Sequence, residues 1–163
     1  MYRLYVDQKL LSLRERFTVN DEAGTPQFTV EGSLLKIPKE FWIRDLSGTD
    51  LARVWKQPVS WLPRFYLEIG GVQVATIRKE FTFLRSQYTI EGPGIEVSGD
   101  VWSMSFELSR AGVPIGRVDK KWMSVRDKYA IEIDSPADEV LVLGIVLAID
   151  YVKRMESAAA AGT

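Results

Sequence analysis

The chain of 163 residues carries 21 lysines and arginines against 22 aspartates and glutamates, so it has no net field to recruit nucleic acid, and any anion site must be local. It contains neither cysteine nor histidine. Those absences exclude disulfides, thiol catalysis and thiolate metal sites. They also remove the side chain best suited to proton transfer near neutral pH and the commonest ligand for zinc, copper or non-haem iron.

Length and an even composition predict one domain. Tyr2 to Val6 reads as a first strand, and Asp7, Gln8 and Lys9 follow at once, so the apolar stretch of a secretory signal is missing and a cytoplasmic location is expected. Period-two alternation then recurs at Phe17/Val19, Phe28/Val30, Phe41/Ile43, Ala52/Val54, Phe65/Leu67/Ile69, Tyr88/Ile90, Ile95/Val97, Trp102/Met104/Phe106/Leu108 and Tyr129/Ile131/Ile133. Less regular strands are predicted from Val72 to Lys79 and from Val113 to Asp119. Turn residues cluster between them at Asp21 to Gly24, Leu46 to Gly48, Gly70-Gly71, Gly92-Pro93-Gly94, Ser98-Gly99-Asp100 and Arg110 to Gly112. About a dozen short strands with one dry face each, closely spaced, predict an antiparallel meander.

The last segment is of another kind. Ser135 suits an N-cap with Pro136 at the first helical position, Asp138 and Glu139 place negative charge in the first turn, and Lys153 and Arg154 place positive charge in the last, so a helix is predicted over 136–155. From Val140 to Ile149 it shows no polar side chain. A helix apolar on every face must be buried on every face. Its uninterrupted stretch is far short of the ~20 residues that span a bilayer, so no transmembrane span is expected. A sheet with one dry face around such a helix closes most naturally as a barrel. A wall roughly 10 Å from the helix axis, with strands about 4.8 Å apart tilted by about 40°, needs on the order of ten strands. The expectation is a mainly β, closed antiparallel barrel over residues 1–155 enclosing the helix 136–155, with 156–163 as a disordered tail. Gly144 either lets a bulky wall residue approach or is a tolerated helical glycine.

Several segments, taken in order, resemble a known family. They are Gln8-Lys9 through Arg14-Glu15-Arg16-Phe17-Thr18-Val19, Phe28-Thr29-Val30-Glu31-Gly32, Ser60-Trp61-Leu62-Pro63-Arg64 and Lys79-Glu80-Phe81-Thr82-Phe83, then Tyr88-Thr89-Ile90-Glu91-Gly92 and the helix end Leu147-Ala148-Ile149-Asp150. Over nearly its whole length the chain resembles the bacterial LURP-one-related proteins, within the tubby C-terminal-like superfamily that also includes phospholipid scramblases. The resemblance implies a twelve-stranded barrel around a hydrophobic C-terminal helix. Through the tubby domains it also implies a membrane-binding module that recognises phosphoinositides; it carries no site residue across.

The densest basic segment is Lys120-Lys121-Trp122-Met123-Ser124-Val125-Arg126-Asp127-Lys128, leading into the last strand. Its candidate role is an anion-binding loop in which Lys120, Lys121, Arg126 and Lys128 face phosphates and Trp122 sits at the interface. Exposed cations flanking a core tryptophan explain the same letters. Arg14 and Arg16 share a strand face suited to pinching one phosphate, and solvent-facing alternation with Glu15 fits equally. The segment from Trp55 to Arg64 mixes aromatic, proline and basic residues; exposed, it would be a sticky surface, and it is expected to fold back and cap a barrel end. Asp45 to Asp50 lacks the spacing and terminal glutamate of a calcium loop and reads as a hairpin turn. No serine stands in a nucleophile motif and no glycine loop is built for phosphate. The expectation is a non-enzymatic domain without cofactor or metal, binding anionic phospholipid head groups peripherally or, in the alternative, a protein partner, and no nucleic acid.

Overall fold

A computed structural model describes residues 1–7, 16–33, 39–81, 86–92, 94–120 and 128–162. Its strands are β1 (Tyr2–Asp7), β2 (Arg16–Asn20), β3 (Pro26–Ser33), β4 (Glu40–Arg44), β5 (Asp50–Lys56), β6 (Arg64–Ile69), β7 (Val72–Phe81), β8 (Ser86–Glu91), β9 (Ile95–Asp100), β10 (Ser105–Arg110), β11 (Val113–Asp119) and β12 (Lys128–Ile133). A 3₁₀ turn, Pro136–Asp138, leads into helix α1, Glu139–Ala161.

The strands form one 12-stranded sheet in the order β8-β7-β6-β5-β4-β3-β2-β1-β12-β11-β10-β9, antiparallel at every junction. The first and last strands pair along their whole length, from Tyr2 opposite Ile133 to Asp7 opposite Lys128. That pairing wraps the sheet around and brings its two margins, β8 and β9, together as sequence neighbours. The result is the expected mainly β barrel, nearly closed, with its seam between β8 and β9.

Alternation does the sorting. In β2 and β4 the residues Phe17, Val19, Phe41 and Ile43 are buried while their neighbours are not, and the other strands supply Val30, Val54, Leu67, Ile77 and Leu108 to the same core. Four hairpins shift register beside their turns, at Val19/Asn20, Ile43/Arg44, Leu67/Glu68 and Leu108/Ser109. Such bulges sharpen the local twist where the chain reverses.

Because successive strands alternate in direction, their connections fall at two ends. One end holds the tight turns 21–25, 45–49, 70–71 and 111–112, the β8–β9 connection and the start of the helix, and is called the hairpin end below. The connections after β1, β3, β5, β7, β9 and β11 belong to the other end, the mouth, where α1 finishes.

Ser135 is extended, at φ −139° and ψ 136°, and its Oγ accepts the Ala137 N–H at 3.3 Å, with Pro136 in the first turn as expected. From Leu141 to Val152 the helix is buried without interruption. Each buried leucine, isoleucine or valine there contributes about 1.5–3 kcal/mol. At Gly144 the wall comes close: a Cβ would stand 2.8 Å from Leu67 Cδ1. Gly116 of β11 plays the reciprocal part, since a Cβ there would lie 2.6 Å from Val142 Cγ1 and 2.8 Å from the Glu132 carbonyl oxygen.

Three expectations are corrected. The helix continues to Ala161, beyond Met155, because the alanines from 158 onward are the strongest helix formers and extend an existing helix at little cost. Trp102 and Met104 lie in a turn before β10; Asp100 accepts the Ser103 N–H at 3.0 Å and its hydroxyl at 2.5 Å, which reverses the chain there. Met104 is still buried, but at φ 56°, and Trp102 faces outward. Ser98-Gly99-Asp100 lies inside β9, where Gly99 has φ 106° and a Cβ would meet the Ser105 carbonyl oxygen at 2.6 Å, so this glycine serves a close strand approach.

Candidate functional site

At the mouth α1 emerges beside the β9–β10 turn. The Lys120 N–H donates to the Met104 carbonyl at 3.0 Å, tying the end of β11 to that turn, and the Lys153 ammonium lies 5.6 Å from the centre of the Trp102 ring. One turn back, Asp150 is 3 % exposed and accepts the Arg154 Nε–H at 3.1 Å. Tyr129 lies fully buried beside it. Burial pushes the Asp150 carboxyl up, against the pull of Arg154, Lys153 and Lys120. Burial pushes the Lys153 ammonium down; Asp150 and Asp100 hold it up, and Lys120 and Arg154 press it further down. The Tyr129 hydroxyl is raised well above its ordinary value, by burial first and then by the charge of Asp150. Lys120, Lys153 and Arg154 thus gather around one buried carboxylate, with Asp100 on the adjoining turn.

Across the mouth stands the β5–β6 connection. Trp61 is 99 % exposed and Val59 87 %, so this corner projects outward and does not cap the barrel as expected. The aromatic that packs in this segment is Trp55, which stacks on Tyr66 at 4.7 Å and donates from Nε1 to Glu68 at 3.1 Å on the outer wall. Its alternation within β5 assigns it to that wall, whereas Trp61 follows Pro58 in a segment that has left the sheet.

Of the residues singled out from sequence, Arg16 opens β2 and Lys120 follows β11, both exposed at the mouth. Arg14, Lys121, Trp122 and Arg126 lie outside the described residues, and Lys128 is placed as the first residue of β12. Lys153 and Arg154, read from sequence as a helix-end charge pair, join Lys120 instead in a tertiary cluster. Asp45 accepts the Ser47 and Thr49 N–H groups at 2.9 Å each, and its pKa is lowered by the Ser47 side chain first and these backbone donors next; Asp50 pairs with Arg44, so the segment is a hairpin turn. On the wall, the buried Glu132 is clasped by Arg3 at 2.6 Å and Arg117 at 2.5 Å, its direct register partners on β1 and β11.

The strand ends also sort charge. The hairpin-end connections and the start of the helix contain Asp21, Glu22, Asp45, Asp134, Asp138 and Glu139 and no lysine or arginine. The connections that leave from and return to the mouth contain, in sequence, Lys9, Arg14, Lys36, Lys39, Arg85, Lys120, Lys121 and Arg126 against Glu15 and Asp127. With the strand ends included, the hairpin end stays acidic beside Arg44 and Arg110, whereas the mouth holds Asp7, Glu40, Asp100 and Asp119 next to Arg16, Lys39, Lys56, Arg64, Lys120 and Lys128, so among the described residues the charge separates into an acidic end and a mixed, more basic one.

Among the described residues no group of acidic side chains is placed to hold a metal ion, and no helix is long and apolar enough to cross a membrane. The protein is similar in structure to a protein from Arabidopsis thaliana solved by X-ray crystallography, with a TM-score of 0.55 and 13 % identity over 91 % of each chain. The shared architecture is the tubby-like fold, a twelve-stranded antiparallel barrel with one C-terminal helix. In sequence the chain is 30 % identical to the uncharacterised protein YxjI of Bacillus subtilis (strain 168) over 152 residues, 93 % of this chain and 94 % of that one. The LURP-one-related family model matches residues 2–150, and the chain belongs to that family.

Proposed function

We propose that this protein is a non-enzymatic module that binds anionic phospholipid head groups peripherally, presenting the mouth of its barrel to the membrane. The observation that carries this reading is the separation of charge between the two ends, which orients the molecule in the field of a negative surface. Lys120, Lys153 and Arg154 supply one head-group contact and Arg16 adds to the same end, while Arg14, Lys121, Arg126 and Lys128 belong in sequence to the connections that leave from and return to it. The lack of histidine and cysteine supports a binding role over a catalytic one.

The test is co-sedimentation with neutral and anionic vesicles at low salt and at about 0.5 M salt, where the screening length falls below ~8 Å. Binding only to anionic vesicles, and lost at high salt, is expected. Equal recovery with both vesicle types, or none with either, would remove the lipid reading and turn attention to a protein partner.

A further inference from the structure

We propose that the β5–β6 corner is a membrane wedge, with Trp61 and Val59 inserting between the head groups of the anionic bilayer that the more basic end approaches; this rests on the lipid reading above. The corner is built to stand out. The Gln57 N–H donates to the Arg64 carbonyl at 2.9 Å and closes its base, Tyr66 Oη donates to Gln57 Oε1 at 3.0 Å, and the Lys79 N–H donates to the Pro63 carbonyl at 3.1 Å, anchoring it to β7. The Ser60 hydroxyl donates to the Leu62 carbonyl across the tip. Pro58 and Pro63 restrict the backbone on either side of the exposed pair. The loop that carries this 99 % exposed tryptophan is fixed before it meets a partner, so burial of the indole costs only its own rotamer freedom and no further ordering of backbone.

The occupant follows from the surroundings. Lys56 and Arg64 bracket the apolar tip, and Lys39 joins it through the Lys56 N–H, which donates to the Lys39 carbonyl at 2.9 Å. An apolar tip on a connection flanked by cations matches an interface whose surface is anionic and whose interior is hydrocarbon, the level at which tryptophan settles. The ring order of strands adds a geometric reason. The β5–β6 junction and the β11–β12 junction are separated by six strand positions out of 12 in either direction, so they stand on opposite rims of the mouth. A flat bilayer meets both together when the barrel docks end-on, with charge on one rim and the wedge on the other.

The experiment compares the full chain with Trp61→Ala and Val59→Asp on vesicles of phosphatidylcholine and phosphatidylserine. It measures co-sedimentation and the quenching of tryptophan fluorescence by brominated acyl chains. Affinity is expected to fall about tenfold or more in each variant, from the lost burial of one large apolar side chain. The quenching that distinguishes wild type from Trp61→Ala should come from bromines near the head groups, and the melting temperature should not change. Wild-type binding with unaltered affinity and quenching in Trp61→Ala would overturn the wedge and leave the electrostatic reading standing. Absence of wild-type binding would overturn both. A concentration-dependent molecular mass abolished by Trp61→Ala, with vesicle binding intact, would overturn the wedge by assigning the corner to contact between copies of the chain.

Discussion

At the scale of single residues, the two glycines at the helix–wall contact define how closely this barrel closes on its core. Gly116 faces a backbone carbonyl as well as Val142, and a carbonyl in a strand ladder cannot withdraw. Gly116→Ala is therefore expected to lower stability by about 1–3 kcal/mol in urea denaturation, the usual cost of overpacking. Gly144→Ala meets only the Leu67 side chain, and a helical alanine returns about 1 kcal/mol of propensity, so its net effect should be the smaller of the two. Combining Gly144→Ala with Leu67→Ala should recover part of the 2–5 kcal/mol that Leu67→Ala costs alone, with a coupling energy of about 0.5–3 kcal/mol. Additive effects would mean that the two side chains do not meet. Gly144 was visible in sequence because it interrupts an apolar run; Gly116 was not, since a glycine in a strand has no partner until the helix is in place.

At the scale of elements, the helix is the core and its last buried turn carries Asp150, a carboxylate whose burial outweighs the pull of its cations. Leu143→Asp should prevent folding, because an unpaired buried carboxylate costs several kcal/mol against a total of about 5–15. A soluble, cooperatively unfolding variant would contradict the central place of α1. Two carboxylates should give stability opposite pH dependence. The folded state raises the Asp150 pKa, so it binds that proton more tightly than the unfolded chain does; the associated stability is complete below the ordinary aspartate value of about 3.9 and is lost as pH rises through the folded value. Asp150→Asn should flatten this decline, measured as the urea midpoint against pH. Glu132 behaves in the reverse sense: burial raises its pKa, but the hydrogen bonds and charges of Arg117 and Arg3 together lower it by more, and the net value is depressed. Its stabilisation is present above about 4.3 and is lost as pH falls through the folded value, so Glu132→Gln should blunt acid unfolding. The helix limits illustrate the same dependence on context: Ser135 and Pro136 marked the start correctly, while the tail of alanines, whose propensity alone seldom sustains a helix, became helical as a continuation of a buried one.

At the scale of the whole molecule, charge is arranged by topology. Lys120→Gln combined with Arg16→Gln should weaken anionic-vesicle binding by about 1 kcal/mol for each cation removed, and change the melting temperature little, because both residues are exposed and Lys120 has the smallest influence of the three cations on Asp150. Unchanged binding would exclude this pair as contacts. The barrel itself was legible in advance: alternation at Phe17/Val19, Phe41/Ile43 and Phe65/Leu67 identified the wall, and a run with no polar face identified its filling. The Trp61 corner was misread because burial is the default for a large aromatic, and only the stapled connection between β5 and β6 sets it outside.

The sequence by itself determined the inventory: strands with one dry side, a helix without a wet one, no histidine or cysteine, and hence a barrel around a helix. Those are properties of local periodicity and of composition, and both survive being read along a line. Tertiary structure alone decided which residues meet. The alternating direction of consecutive strands assigned the acidic turns to one pole and the basic connections to the other. It also brought Lys120 to the helix turn where Asp150, Lys153 and Arg154 already meet by helical spacing, and held Trp61 on the far rim of the mouth. Lys120 and Trp61 are far from this helix turn along the chain, and their places on the rim follow from the order of the strands around the barrel, which no local pattern encodes.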